Sequence, residues 1–354
     1  MTADTNLPTI HVLYENADWL PPLTAALENE GFTVALHLVW KDAIDPRQEP
    51  AEGIWINRMS PSSHTRGHGE SVGLMRETLA WLESWGRRVI NGSHAMELEV
   101  SKLRQELVLH RHGILSPRTY LANNREELVR VAGNFKGAFI TKHNQGGKGL
   151  GIELFSSAQR LDEYLELDVF DWGPTGQIVL QEYITSAEPF ITRIEIVGGQ
   201  FVYAMESATD DGFQLCPSDA CQVPSSAPNV CPADDGGDDP DAPIALTSSG
   251  RPKFGPSPVT AEDPLVRQLI EMTIAEGLEQ AGIEFVEDKY GNRYVYDING
   301  TTNYSSAIER HFDVDGMSAL AAYIKGAVVP GLHDTDDDVT PRQLATRRAR
   351  RKRS

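Results

Sequence analysis

Apolar and polar positions along the first third of the chain follow two rhythms. "TIHVLYE", "FTVALHLV", "GIWINRM" and "RRVING" are apolar runs of strand length. "WLPPLTAALENEG" and "GESVGLMRETLAWLESWG" instead place apolar residues at helical spacing and stop at Gly31 and Gly86. Strands and helices taking turns predict a parallel sheet wrapped by helices, a small doubly wound α/β unit over residues 1–95. The turn after its first strand lacks GxGxxG, which argues against dinucleotide binding there.

From Ser93 the pattern changes. "SHAMELEVSKLRQELVLHRHG" reads as one helix, with Ser93 as N-cap and Gly113 as its stop. An extended "ILSPRTYLA" and a short helix from Glu126 to Ala132 follow. Next comes "AFITKHNQGGKGLGIELF", in which two strand-like runs enclose two lysines, His143 and four glycines. "QIVLQEYI" (Gln177–Ile184) is a further strand, and "FITRIEIV" and "QFVYAME" form a hairpin meeting at Gly198-Gly199. A stretch rich in proline, serine and aspartate predicts a disordered acidic insertion over about residues 217–258. "DPLVRQLIEMTIAEGLEQAG" reads as a helix with Asp263 as N-cap and Pro264 at its first position. Strands "IEFVE" and "RYVYDIN" then pair across "DKYGN", and "MSALAAYIKGAVV" closes the fold. Residues 96–330 thus form a second unit, and 331–354 a flexible tail.

Charge narrows the function classes. With 32 basic against 51 acidic residues, the net charge of −19 repels nucleic acid and anionic lipid. The closing "RRARRKRS" is strongly basic but too brief to make a nucleic-acid-binding protein. It reads as a solvated end or as a short contact to an acidic partner. No secretory signal and no bilayer-length apolar run is visible. Cys216, Cys221 and Cys231 cannot all pair, so a cytoplasmic location is expected, and their spacing supplies no fourth zinc ligand.

Three stretches carry chemistry. In "KHNQGGKG", glycines let backbone N–H groups converge on an anion, Lys142 sits at a strand end, and Lys148 lies in the flexible part. It is not a Walker loop, because GxxxxGK[ST] is absent and a strand follows. A glycine-rich hairpin with solvated lysines is the competing reading. In "YVYDINGTTNY", alternation puts Asp297 and Asn299 on one strand face, and Glu284 on the preceding strand can bring a third oxygen. Such hard donors suit Mg²⁺, although a strand simply ending in a turn has the same letters. In "NRMSPSSHTRGH", Arg58, His64, Arg66 and His68 follow the third strand, where α/β sheets place ligands. An amino-acid or peptide carboxylate would dock there, unless the loop is merely exposed. Asn303 is a further substrate candidate.

Lys102 on a helix, the extended proline segment, strand–glycine loop–strand, "QEYI", an Arg-bearing hairpin and "DIN" occur in this order. The order resembles the ATP-grasp superfamily, with RimK-type amino-acid ligases and glutathione synthetase-like enzymes as the closest look. That resemblance implies an ATP-grasp fold behind an N-terminal Rossmann-like (pre-ATP-grasp) α/β domain, with a lid over about residues 115–183. It implies ATP held by Lys102 and Lys142, under a mobile loop from Gln145, Gly146, Gly147, Lys148 and Gly149 to Gly151. Adenine would lie against Gln181, Glu182, Tyr183 and Ile184, with Glu188 on the ribose. Arg193, with Lys142, would be catalytic at the γ-phosphate. Glu284, Asp297 and Asn299 would hold one or two Mg²⁺, or Mn²⁺ in its place. The implied activity is carboxylate–amine ligation through an acyl phosphate, on an amino acid or small peptide, with homo-oligomerisation left open. The alternatives are an ATP-grasp kinase acting on a hydroxyl and a non-catalytic nucleotide-binding regulatory protein.

Overall fold

In the computed structural model, the described residues are 7–39, 41, 43–147, 149, 151–167, 169–210, 212 and 246–328. The basic tail, the three cysteines, the acidic run and Lys148 lie outside them.

The alternating first segment forms β1 (Ile10–Tyr14), α1 (Pro21–Asn29), β2 (Val34–Leu38), β3 (Ile54–Arg58), α2 (Ser71–Ser84) and β4 (Arg88–Ile90). Its strands make a parallel sheet of order β2-β1-β3-β4. Strand alternation sends Ile10, Val12, Ile54 and Ile56 to one face, and Leu13 and Trp55 to the other, where Met75, Leu79 and Leu82 of α2 cover them.

The segment read as a single helix is two, α3 (Ser93–Glu99) and α4 (Lys102–Arg111). Gly92, not Ser93, precedes the first, and Ser101 caps the second by accepting the Arg104 N–H. A tertiary contact outweighs helix propensity at this break. The Lys102 N–H donates to the Asn144 carbonyl at 3.1 Å, and the Leu103 N–H donates to Asn144 Oδ1 at 3.1 Å. The break ties Lys102 directly to the far end of the glycine-rich strand.

Then come β5 (Thr119–Ala122), α5 (Arg125–Ala132), β6 (Phe139–His143), β7 (Glu153–Phe155), α6 (Ala158–Leu165) and β8 (Ile178–Glu182). They build an antiparallel sheet of order β5-β8-β6-β7, with α5 and α6 on one face around Leu128, Phe139, Phe155, Leu161, Ile178 and Leu180. The third sheet has order β11-β10-β9-β12-β13, from β9 (Phe190–Val197), β10 (Gln200–Ala208), β11 (Phe254–Pro256), β12 (Gln280–Glu287) and β13 (Arg293–Asn299). Strand β11 corrects the expected disorder over 217–258: residues 246–258 are described, and Phe254–Pro256 pairs with Met205–Ser207. Pro256 is tolerated there because the strand is at an edge.

Before β12 runs α7 (Pro264–Glu276), capped by Asp263 and stopped at Gly277 with φ +67°. Helix α7, with α3 and α4, covers the face of the third sheet that carries Ile194, Ile196, Ile283, Val295 and Ile298. Their neighbours in sequence, Arg193, Glu195, Glu284, Asp297 and Asn299, occupy the opposite face, an irregularity in the β12–β13 register between Val295 and Asp297 shifting the alternation there. Two helices follow, α8 (Ser306–Phe312) and α9 (Gly316–Val328). The latter packs on the first sheet, with Met317, Leu320 and Ile324 joining the cluster of Ile10, Leu23 and Leu27. The first sheet thus draws part of its core from the chain's last described helix.

Candidate active site

The polar face of the third sheet looks across a cavity of about 430 Å³ at the β5–β8 sheet. Lys142 and Ile140 of β6 and Gln181 of β8 line it from above, and Arg193, Glu284, Tyr296, Asp297 and Asn299 from below. Lys102 enters from the first turn of α4.

Strand register sets the lower wall. Glu284 pairs with Asp297 across β12 and β13, and with Arg193 across β12 and β9. Arg193 spreads its guanidinium over three partners: Glu195 Oε1 at 2.6 Å, Glu284 Oε1 at 2.8 Å and Thr302 Oγ1 at 2.8 Å. Burial disfavours that charge, but Glu195 and Glu284 more than offset it, so Arg193 stays protonated. Gly282 makes room, since a Cβ there would sit 2.6 Å from Arg193 Cζ. Tyr296 donates its hydroxyl to Glu284 Oε2 at 3.0 Å.

Lys102 forms an ion pair with Asp297. Burial would raise the Asp297 pKa, yet Lys102 and then Lys142 hold it below the usual carboxylate range. Lys142 donates to Gln181 Oε1 at 2.9 Å, and burial, then Lys102, pushes its pKa down to about 8. Two ammonium groups this close suit a polyanion, which would relieve their repulsion.

Does the oxygen set fit a divalent cation? Asn299 Nδ2 donates to the Gly282 carbonyl at 3.3 Å, which turns its Oδ1 the other way. Two carboxylates and one amide oxygen then share the wall, a hard donor set of the kind Mg²⁺ takes alongside phosphate oxygens. No trio of His, Cys, Asp or Glu is clustered among the described residues, so the amide is needed to complete the set.

Of the loop expected to close over phosphates, Gly146, Gly147 and Gly149 line the cavity, whereas Gln145 is buried outside its lining. His143 holds the loop's base. Its ring lies so near Gly151 (φ +71°) and Gly173 (φ +65°) that a Cβ on either would come within 2.6 Å of it. Glu182, Tyr183 and Ile184 line the cavity, but the Tyr183 N–H already donates to the Ala138 carbonyl. Glu188 is exposed and outside the lining, where Ser186, Thr209 and Asp210 stand instead.

The basic stretch after β3 departs most from expectation. Arg58, His64, Arg66 and His68 are not cavity-lining residues. Arg66 and His68 both bind the buried carboxylate of Glu15, His68 Nδ1 lying 2.8 Å from Oε1. His64 Nδ1 lies 3.1 Å from the Pro61 carbonyl, on a short 3₁₀ turn. Arg58 is buried and bonded to the loop after β13. Asn303, by contrast, lines the cavity, together with Ser60, Ser62, Trp19 and Glu99. Sequence reasoning passed over Glu99, Glu195, Tyr296 and Thr302. Two of them had a signal, because Glu195 shares the strand face of Arg193 and Thr302 sits in the loop just past Asn299.

Comparison with known proteins bears on this geometry. Residues 100–215 match the model of the RimK-like ATP-grasp domain. Probable alpha-L-glutamate ligases of Teredinibacter turnerae and Vibrio vulnificus are 30% identical over 131 residues, 37% of this chain and 42% of theirs. The match thus spans about two fifths of those relatives' length. In three dimensions, the ATP-grasp ligase PsnB complexed with its minimal precursor covers 90% of this chain and 99% of its own, at TM-score 0.59 and 17% identity. D-cycloserine synthetase DcsG covers 90% and 99%, at TM-score 0.58 and 16% identity. These likenesses show that the ATP-grasp fold extends beyond the matched domain, over the first sheet as well. The second and third sheets are the jaws between which Lys102, Lys142 and Arg193 converge.

Proposed function

We propose that the chain is an ATP-dependent carboxylate–amine ligase that makes an amide bond through an acyl phosphate. The observation that carries this reading is the meeting, in one cavity, of three cationic side chains with the oxygens of Glu284, Asp297 and Asn299. A site that only senses a nucleotide has no need of a guanidinium clamped at its phosphate end.

Lys102 and Lys142 bind the ATP phosphates, and Gly146, Gly147 and Gly149 fold over them to exclude water. An oxygen of the carboxylate attacks the γ-phosphorus as the bond to the ADP oxygen breaks, and Arg193 stabilises charge gathering on the transferred oxygens. Amine attack on the acyl phosphate then gives a tetrahedral species, which expels phosphate and loses the amine's proton. Glu284, Asp297 and Asn299 would hold Mg²⁺, which neutralises phosphate charge; Mn²⁺ takes the same oxygens and is expected to substitute. PsnB has been solved with Mg and ADP, which supports that pairing. Water exclusion matters because an exposed acyl phosphate hydrolyses.

Glutamate or a related acid is the proposed carboxylate, supported by the names of the glutamate-ligase relatives. The odd number of cysteines suits a reducing, cytoplasmic setting. No described helix is long and apolar enough to cross a membrane. Incubation with Mg-ATP, pooled amino acids and hydroxylamine tests the reading: ADP and a hydroxamate are expected. ADP with a phosphorylated hydroxyl and no hydroxamate would make the protein a kinase, and AMP would exclude the acyl-phosphate route.

A further inference from the structure

Arg58 is 2% exposed, yet no carboxylate among the described residues lies within ion-pair distance of it. Its three hydrogen-bond acceptors are neutral: Gln280 Oε1 at 3.0 Å, the Thr302 carbonyl at 3.0 Å and Asn303 Oδ1 at 2.5 Å. Buried charges are ordinarily paired, because desolvation of a lone ion is costly. Burial, opposed by Tyr304 and Glu99, pushes the Arg58 pKa down to about 10, still far above neutrality, so the charge persists.

The loop that Arg58 grips is otherwise tied down. Glu99 accepts the Gly300 and Thr301 N–H groups, Thr301 Oγ1 donates to the Met59 carbonyl at 2.8 Å, and Thr302 Oγ1 accepts from Arg193. Arginine has only donors, so it can face only the oxygen of the Asn303 carboxamide. The NH₂ of Asn303, a cavity-lining residue, is therefore turned away from Arg58.

Resting on the ligase reading, we infer that the Arg58–Asn303 pair seats the carboxylate substrate: Asn303 donates amide hydrogens to it while Arg58 supplies the opposing charge from behind. Arg58 is then a positioning residue and Asn303 a specificity residue. The guanidinium with no carboxylate bonded to it and the fixed carboxamide orientation point to the same ligand, an anionic oxygen acceptor. An ammonium group at that seat would face the Asn303 NH₂ and, behind it, the like charge of Arg58.

The test measures ADP release at saturating Mg-ATP against the amino acid that yields hydroxamate with the wild-type chain, in wild type, Asn303→Asp, Asn303→Ala and Arg58→Lys. Mg-AMPPNP affinity serves as the control for folding, and is expected to stay within about twofold, since Arg58 bonds Gln280, Thr302 and Asn303 rather than either lysine. Asn303→Asp turns the donor into a second anion, and KM for the carboxylate is expected to rise about tenfold or more, with kcat moving less. Asn303→Ala and Arg58→Lys should shift KM in the same direction by a smaller factor. An unchanged KM in both Asn303 variants, with nucleotide binding intact, overturns this inference and leaves the ligase reading standing. Loss of AMPPNP affinity in both would make the loop merely structural, and also overturns it. Absence of any hydroxamate from the wild-type chain would sink the ligase reading and this inference with it.

Discussion

Single residues set the electrostatics of the cavity, and glycine at position 282 is the plainest case. Its missing Cβ is the space that Arg193 fills. Gly282→Ala should displace the guanidinium from Glu284 and Thr302 and lower ADP release by about 100-fold, the scale for losing one preorganised charge stabiliser. Turnover near wild type, with an unaltered circular dichroism spectrum, would contradict the role given to Arg193. Glu99 carries a pH signature. Burial pushes its carboxyl from 4.5 up to about 7, with the Gly300 N–H opposing. A raised carboxyl pKa means the folded state holds the proton more tightly. Its stabilising share is thus whole below pH 4.5 and is lost as pH rises through about 7. Wild type should accordingly lose stability relative to Glu99→Gln across that window, by on the order of 3 kcal/mol at most. Denaturation of both proteins in parallel checks it, and identical pH profiles would contradict it.

At the scale of elements, the break between α3 and α4 places Lys102. Ser101→Ala removes a cap worth about 1 kcal/mol and frees the helix to run on through Val100, as its sequence favours. A lower melting temperature with weakened Mg-ADP affinity is expected from calorimetry. Stability loss with unaltered affinity would show that Lys102 needs no such anchor. This break is also where reading from the chain alone fails. "ELEVSKLRQEL" is continuous in helical spacing, and what interrupts it is Asn144, distant in sequence. The strands behaved otherwise. Period-two alternation in "FITRIEIV" and "RYVYDIN" already separated Arg193, Asp297 and Asn299 from Ile194, Ile196 and Ile298, because one face had to be buried. The basic cluster after β3 misled for the reverse reason. Its arginines and histidines read in sequence as open to a substrate carboxylate, while Arg66 and His68 are held by Glu15, in the loop after β1.

For the whole molecule, the first and last described elements are mutually dependent. Helix α9 completes the core of the first sheet, so Leu320→Ala, at a site with no exposure, should cost about 2–5 kcal/mol and loosen that sheet. Arg58 crosses the same boundary to the loop after β13, and the cavity thus depends on contacts from both ends of the fold. The jaws themselves are two sheets with separate cores, joined at the cavity by Lys142, which also reaches the Tyr296 carbonyl at 3.4 Å. The proposed chemistry asks this architecture for one thing, transfer of a phosphoryl group to a carboxylate oxygen. Turnover of a carboxylate labelled with heavy oxygen, followed by mass analysis of the released phosphate, reads that transfer directly. One labelled oxygen should pass from carboxylate to phosphate with each amide formed. Unlabelled phosphate accompanying labelled amide would contradict the account.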